Sequence, residues 1–286
     1  MTLLSLIGNI SVWLTVAVLF PLLFLPASIL AAHTMRLGAT AASLIWLVKV
    51  LTSVGLGILF LRLIPAPLLS GLPGSFFMWL AMMVALAGAM ALSGGPARWA
   101  GGLLTITDPL TRLIGRSAMW LTLVMAIVQF TVVILRYVFG VSFIWVQESI
   151  TYFHGTVFLL AAGYALLTDD HVRVDIFYRG ASDRMKAWIN LYGTYFLLFP
   201  VCLILLWAAA PYVFASWAAT EGSNESSGVQ LLFVLKSLIP AFAVFLLLAG
   251  FSLAMRCVQT LIAAPSSPKE NGADTLADLS LNGGRS

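Results

Sequence analysis

Residues able to do chemistry are few enough in this chain to take one by one. The densest group is Asp169-Asp170-His171-Val172-Arg173-Val174-Asp175, with three carboxylates, a histidine and an arginine in seven positions. Such a block cannot enter hydrocarbon cheaply, so it belongs at a membrane surface or against a partner. If extended, it puts Val172 and Val174 on one face and His171, Arg173 and Asp175 on the other; if helical, His171 and Asp175 are i,i+4 neighbours able to pair. It carries no nucleophile, so the two readings are a solvated loop and a docking patch, not a catalytic triad. Arg136 and Glu148 form a second set, each at the edge of an apolar run and separated by an aromatic-rich turn. Pairing would offset the cost of placing them near hydrocarbon, about 2.5–3.5 kcal/mol for Arg or Asp at a span centre. Structural pairing or subunit contact and an ion relay are the two roles open to them.

His154 lies inside an apolar run, where a haem or metal ligand would need a facing histidine. The other histidines, His33 and His171, stand at run ends, so a buried, hydrogen-bonded side chain is expected. Lys49 and Lys236 read as paired or snorkelling residues. Cys202 and Cys257 share no metal spacing and read as apolar packing. No phosphate-cradling loop, zinc-protease helix or serine elbow occurs, which excludes an ATPase role. No catalytic residue, cofactor or metal site is expected.

The elements that would position these residues follow from composition. Of 286 residues, 61% are hydrophobic and 9% charged, against about 25% charged in soluble domains. The chain is therefore an integral membrane protein. The net charge of +4 comes from lysines and arginines scattered at run ends, so nucleic acid is not a partner. Candidate spans are Leu6–Ala32 (kinked by Pro21 and Pro26, and read as retained), Ala41–Leu63 and Phe76–Leu92. After them come Ser117–Leu135, Ile150–Leu167, Trp188–Trp207 with an extension to Trp217, and Leu238–Met255. No strand pattern, internal repeat or heptad seam is evident. The expected fold is all-α, a polytopic membrane bundle of about seven spans, three plus four. The divisions are an N-terminal extension at 1–95, a linker or interfacial segment at 96–116, a four-span module at 117–262 and a disordered cytoplasmic tail at 263–286.

Positive residues set the orientation. Arg98, Arg112 and Arg116 mark one cytoplasmic loop, and Arg173, Arg179, Arg184 and Lys186 another, leaving the acidic loop with Glu221 and Glu225 outside. Small residues at Ala161-Ala162-Gly163 and at Ala85, Ala87, Gly88 and Ala89 would let helices approach closely.

One family carries this pattern. A span ending in Arg136-Tyr137-Val138-Phe139-Gly140, Trp145 and Glu148 opening the next, and then His171-Val172-Arg173-Val174-Asp175 resemble the small membrane subunit of TRAP transporters, the tripartite ATP-independent periplasmic importers. The resemblance runs from about Ser117 to Ile262, through a polar loop with Glu221, Glu225 and Ser226 and a last span opened by Lys236-Ser237-Leu238-Ile239-Pro240. It implies a scaffold subunit in a bacterial inner membrane. Its partners would be a large membrane subunit holding the substrate and sodium sites and a periplasmic substrate-binding protein that delivers an organic acid. Arg136, Trp145, Glu148, His171, Arg173, Asp175 and Pro240 would then be structural or subunit-contact residues. The rival readings are an electron-transfer or enzyme subunit with His154 as ligand, and an autonomous channel or carrier. The lack of convergent intramembrane carboxylates, broken-helix pairs or inverted repeats argues against a transport path within this chain alone.

Overall fold

The computed structural model describes residues 20–61, 73–171 and 178–263. Within them the chain is helical, with no strand. The elements are α1 (Leu25–Thr34), α2 (Ala39–Leu61), α3 (Pro73–Leu92), α4 (Pro96–Tyr137), α5 (Ile144–Thr168), α6 (Asp183–Gly193), a π-helical turn (Thr194–Leu198), α7 (Phe199–Ala218) and α8 (Leu232–Ile262). Most of the first candidate span, the Pro65–Pro67 turn, Arg173, Asp175 and the tail from 264 onward lie outside the described residues.

Four of the described helices are long and apolar enough to cross a bilayer: α4, α5, the α6–α7 unit and α8. The protein is an integral membrane helical bundle. α2 and α3 add two mainly apolar helices of 23 and 20 residues, roughly 35 and 30 Å at 1.5 Å per residue. The cation-rich end of the bundle, with Arg98, Arg184 and Arg256, is called the inner end below and the opposite end the outer.

α4 is a single helix of 42 residues, about 63 Å long and twice the hydrocarbon thickness. The segment 96–116 is its first half and runs into the span at 117 without a break. Pro109 sits inside it, where a missing N–H costs one backbone bond without ending the helix. Its buried face is a stripe of small residues, Ala100, Thr107, Thr111, Gly115 and Ala118. At Gly115 even a methyl group would collide with the Tyr164 side chain of α5. A second close approach is Gly163 of α5, whose added Cβ would stand 3.1 Å from the Phe245 carbonyl of α8. α5 is thus wedged between α4 and α8, as small residues permit.

The N-terminal helices share a core with the rest. Leu25, Trp46, Met83, Met90 and Ala100 pack in one cluster with Phe199, Cys202, Leu247 and Phe251. Hydrogen bonds cross the same seam. Tyr195 donates its hydroxyl proton to the Leu23 carbonyl at 2.6 Å and accepts from the Ala27 N–H at 3.2 Å. Within the N-terminal part itself, the Trp46 indole N–H donates to the Pro21 carbonyl at 2.8 Å. Cys202 and Cys257 are both buried, as apolar packing requires.

Candidate functional site

At the outer end, Glu148 lies in the second turn of α5 and aims its carboxylate at the loop between α7 and α8. It accepts hydrogen bonds from the Ser223 hydroxyl at 2.5 Å and the Val229 backbone N–H at 2.6 Å. The Ser223 oxygen accepts in turn from the Glu225 N–H at 3.1 Å. Gly228 passes so near that an added Cβ would lie 2.6 Å from the Glu148 carboxylate. The expected Arg136–Glu148 pair does not form. Arg136 is exposed in the last turn of α4, where its charge suits the helix C-terminus, and it makes no ion pair among the described residues. The two donors of the α7–α8 loop have taken the carboxylate instead.

The same loop is tied down a second time. Lys236 of α8 pairs with Glu221 and stands 4.1 Å from the centre of the Tyr212 ring, a cation–π contact. That ammonium holds the Glu221 carboxyl below the usual carboxylate range. Trp217 donates to the Ser237 hydroxyl at 2.7 Å and packs edge-on against Phe233, ring centres 4.7 Å apart. Pro240, inside α8, cannot donate to the carbonyl one turn back, that of Lys236. Trp145 stays exposed.

At the inner end, Asp108 of α4 accepts from the Ser252 hydroxyl at 2.5 Å and from the Arg256 guanidinium at 3.3 Å, both on α8. Arg256 also donates to the Leu167 carbonyl of α5 at 2.8 Å. One arginine thus joins three helices. Composition alone gave Asp108 no role; the signal available was its place beside the small-residue stripe, level with the lone arginine that ends the last span. Just beyond α5, Asp169 adopts a left-handed conformation (φ +65°) that closes the helix, and Thr168 donates to the Asp170 carboxylate at 2.5 Å. His171 is exposed there, and its proposed partner Asp175 is outside the described residues.

His154 is exposed, not buried. It stacks on Phe158, ring centres 6.3 Å apart, and with Thr151 these residues form an exposed stripe on α5 at helical spacing. The reason is packing: α5 turns Gly163 and Leu167 inward, which leaves His154 facing out of the bundle. No group of three His, Cys, Asp or Glu among the described residues could hold a metal.

Residues 125–263 match the family model of the tripartite ATP-independent periplasmic transporters, DctQ component. This segment is a DctQ domain. It takes in the outer third of α4 and all of α5 to α8, so both clasps (the Glu148 contacts at the outer end and the Arg256 contacts at the inner end) reach into it, and only Asp108 joins from outside. DctQ proteins are the small permease component of TRAP transporters, a transporter family rather than an enzyme family. Neither the curated proteins nor the solved structures contain a match to the chain.

Proposed function

We propose that this chain is the scaffold subunit of a sodium-coupled TRAP importer of organic acids in a bacterial inner membrane. In this reading it widens and steadies the large transporting subunit, and a periplasmic binding protein delivers the solute. The observation that carries the scaffold role is what the charged residues of the DctQ domain do: Glu148, Glu221, Lys236 and Arg256 each tie one helix or loop to another. A carrier instead needs polar groups that converge on a midplane cavity. The surface offered to the large subunit is the Thr151–His154–Phe158 stripe of α5. A polar imidazole facing out of an apolar span gains from a protein neighbour that lipid cannot supply. Arg136, Trp145 and His171, followed in the chain by Arg173 and Asp175, would extend this contact at the two membrane surfaces. Glu148 and Pro240 act behind it by shaping the outer loop. Residues 1–95 enlarge the scaffold, with 96–116 joining them to the module at 117–262.

The test is gentle solubilisation of the tagged chain from native membranes, with co-purifying proteins identified by mass spectrometry. A larger polytopic membrane protein in stoichiometric yield is expected, and His154→Leu with Phe158→Ala should lower its recovery several-fold. Recovery of the chain as a lone species with transport activity of its own would sink the scaffold role.

A further inference from the structure

On the inner half of the bundle, away from both clasps, α1, α2 and α6 enclose a groove of about 330 Å³. Lys49 reaches into it from α2 and donates to the Ala27 carbonyl at 2.9 Å. An ammonium carries three donors, and among the described residues no carboxylate pairs with this one. Lys49 is ten residues past the start of α2, about 15 Å along its axis. It is therefore a cation well along a membrane helix that, among the described residues, is held by a single neutral acceptor, an arrangement that asks for an anion.

The rest of the groove says which kind. Its outer wall is a ladder of aromatic rings, Trp188, Tyr192 and Phe196, stacked at 5.6 and 5.9 Å along one face of α6 and the π turn. Tyr192 and Phe196 are exposed to the surroundings of the bundle, so the groove opens sideways towards lipid. Leu30 and Leu191 make the floor apolar. At the mouth, the last turn of α1 carries His33, with Arg36 two residues past its end, while the first turn of α6 carries Arg184 and Lys186. Asp183 is the one carboxylate in those two helix ends. A basic rim, a deeper lysine and an apolar, aromatic-walled channel match one ligand, a phosphodiester with acyl chains attached.

We propose that this groove binds an anionic phospholipid of the inner leaflet, with Lys49 anchoring its phosphate and the Trp188–Tyr192–Phe196 ladder lying along an acyl chain. The site would fasten the N-terminal helices to the DctQ domain through a lipid. The proposal does not rest on the transport role.

Native mass spectrometry of the full chain, released from bilayer discs holding equal phosphatidylglycerol and phosphatidylcholine, tests it. The wild type should retain phosphatidylglycerol in about fivefold excess, the scale set by one lysine at an anionic surface. Lys49→Met should abolish the preference and Lys49→Arg should keep it, with helical content by circular dichroism unchanged. Equal retention of both lipids, a preference that survives Lys49→Met, or displacement of the lipid by inorganic phosphate at constant ionic strength would each overturn the proposal. If Lys49→Met fails to fold, tryptophan quenching by chain-brominated phosphatidylglycerol decides. Quenching should exceed that by brominated phosphatidylcholine, and Trp188→Phe should remove the difference; no difference in the wild type would overturn the site.

Discussion

Glu148 must satisfy two donors, the Ser223 hydroxyl and the Val229 N–H. A carboxylate accepts both, whereas an amide has one acceptor oxygen and turns its NH₂ towards the other donor. Glu148→Gln should therefore loosen the outer loop while leaving the helices intact, read as several-fold faster proteolysis between residues 219 and 231 at unchanged helical content. Glu221 gives a pH signature. Its folded carboxyl titrates below the ordinary glutamate value near 4.5 because Lys236 favours the ionised form. The stability it contributes is thus fully present above that value and is lost as pH falls through the depressed folded value. Melting temperature should hold between pH 7 and 5 and drop below 4.5, more steeply in the wild type than in Glu221→Gln; parallel profiles would remove the pair from the account. Hydropathy placed Glu148 at a span edge but could not find its partners, because Val229 lies 81 positions away in an unremarkable polar loop. Arg136 was the nearest cation along the chain, and distance along the chain was the wrong guide.

Among the elements, the contact between α4 and α5 depends most on one atom's absence. Gly115 lets the Tyr164 ring lie against the α4 backbone. Gly115→Leu should separate the helices at a cost of about 1–3 kcal/mol, with a lower melting temperature, whereas Gly102→Leu on the open face should be near neutral. Span positions were legible because uncharged runs of about 20 residues alternate with Arg, Lys and Asp. The continuity of α4 was not. Gly94, Gly95, Pro96 and the charges at Arg98, Asp108, Arg112 and Arg116 resemble a linker when scored by hydropathy. Yet a helix needs only backbone bonds, and Pro109 removes one of them. The outward turn of His154 was hidden for another reason: lipid and core are both apolar, so periodicity within a span does not tell inside from outside.

At the scale of the molecule, the all-helical class followed from composition, but how the two halves join did not. The chain reads as three spans followed by four, and the helices carry their residues in that order, yet Trp46, Met90 and Phe251 sit in one cluster. Tyr195 bonds backbone atoms about 170 positions earlier. Contacts of that range leave no trace in local patterns. The two clasps grip opposite ends of the DctQ domain, Glu148 outside and Arg256 inside. The apolar faces left exposed on α4, from Trp120 through Ile127 and Phe130, remain for lipid or for neighbouring subunits.

The π turn at Thr194–Leu198 changes how residues should be counted along this span. Inward-facing positions run 187, 191 and, at its first residue, 194, then 199, 202, 206, 209, 213 and 216 after it. An unbroken helix of 3.6 residues per turn starting at 187 would call for 198, 201 and 205 instead. The turn hides one surplus residue, bulged out where Phe196 and Leu197 are exposed. This helix therefore has a spare place. Deleting Leu197 should straighten the turn and leave both faces in phase, whereas deleting Ile204 should rotate everything after it by about 100° and empty the core of Leu206 and Val213. Equal losses of folded protein from the two deletions would mean that the surplus is not where the backbone puts it.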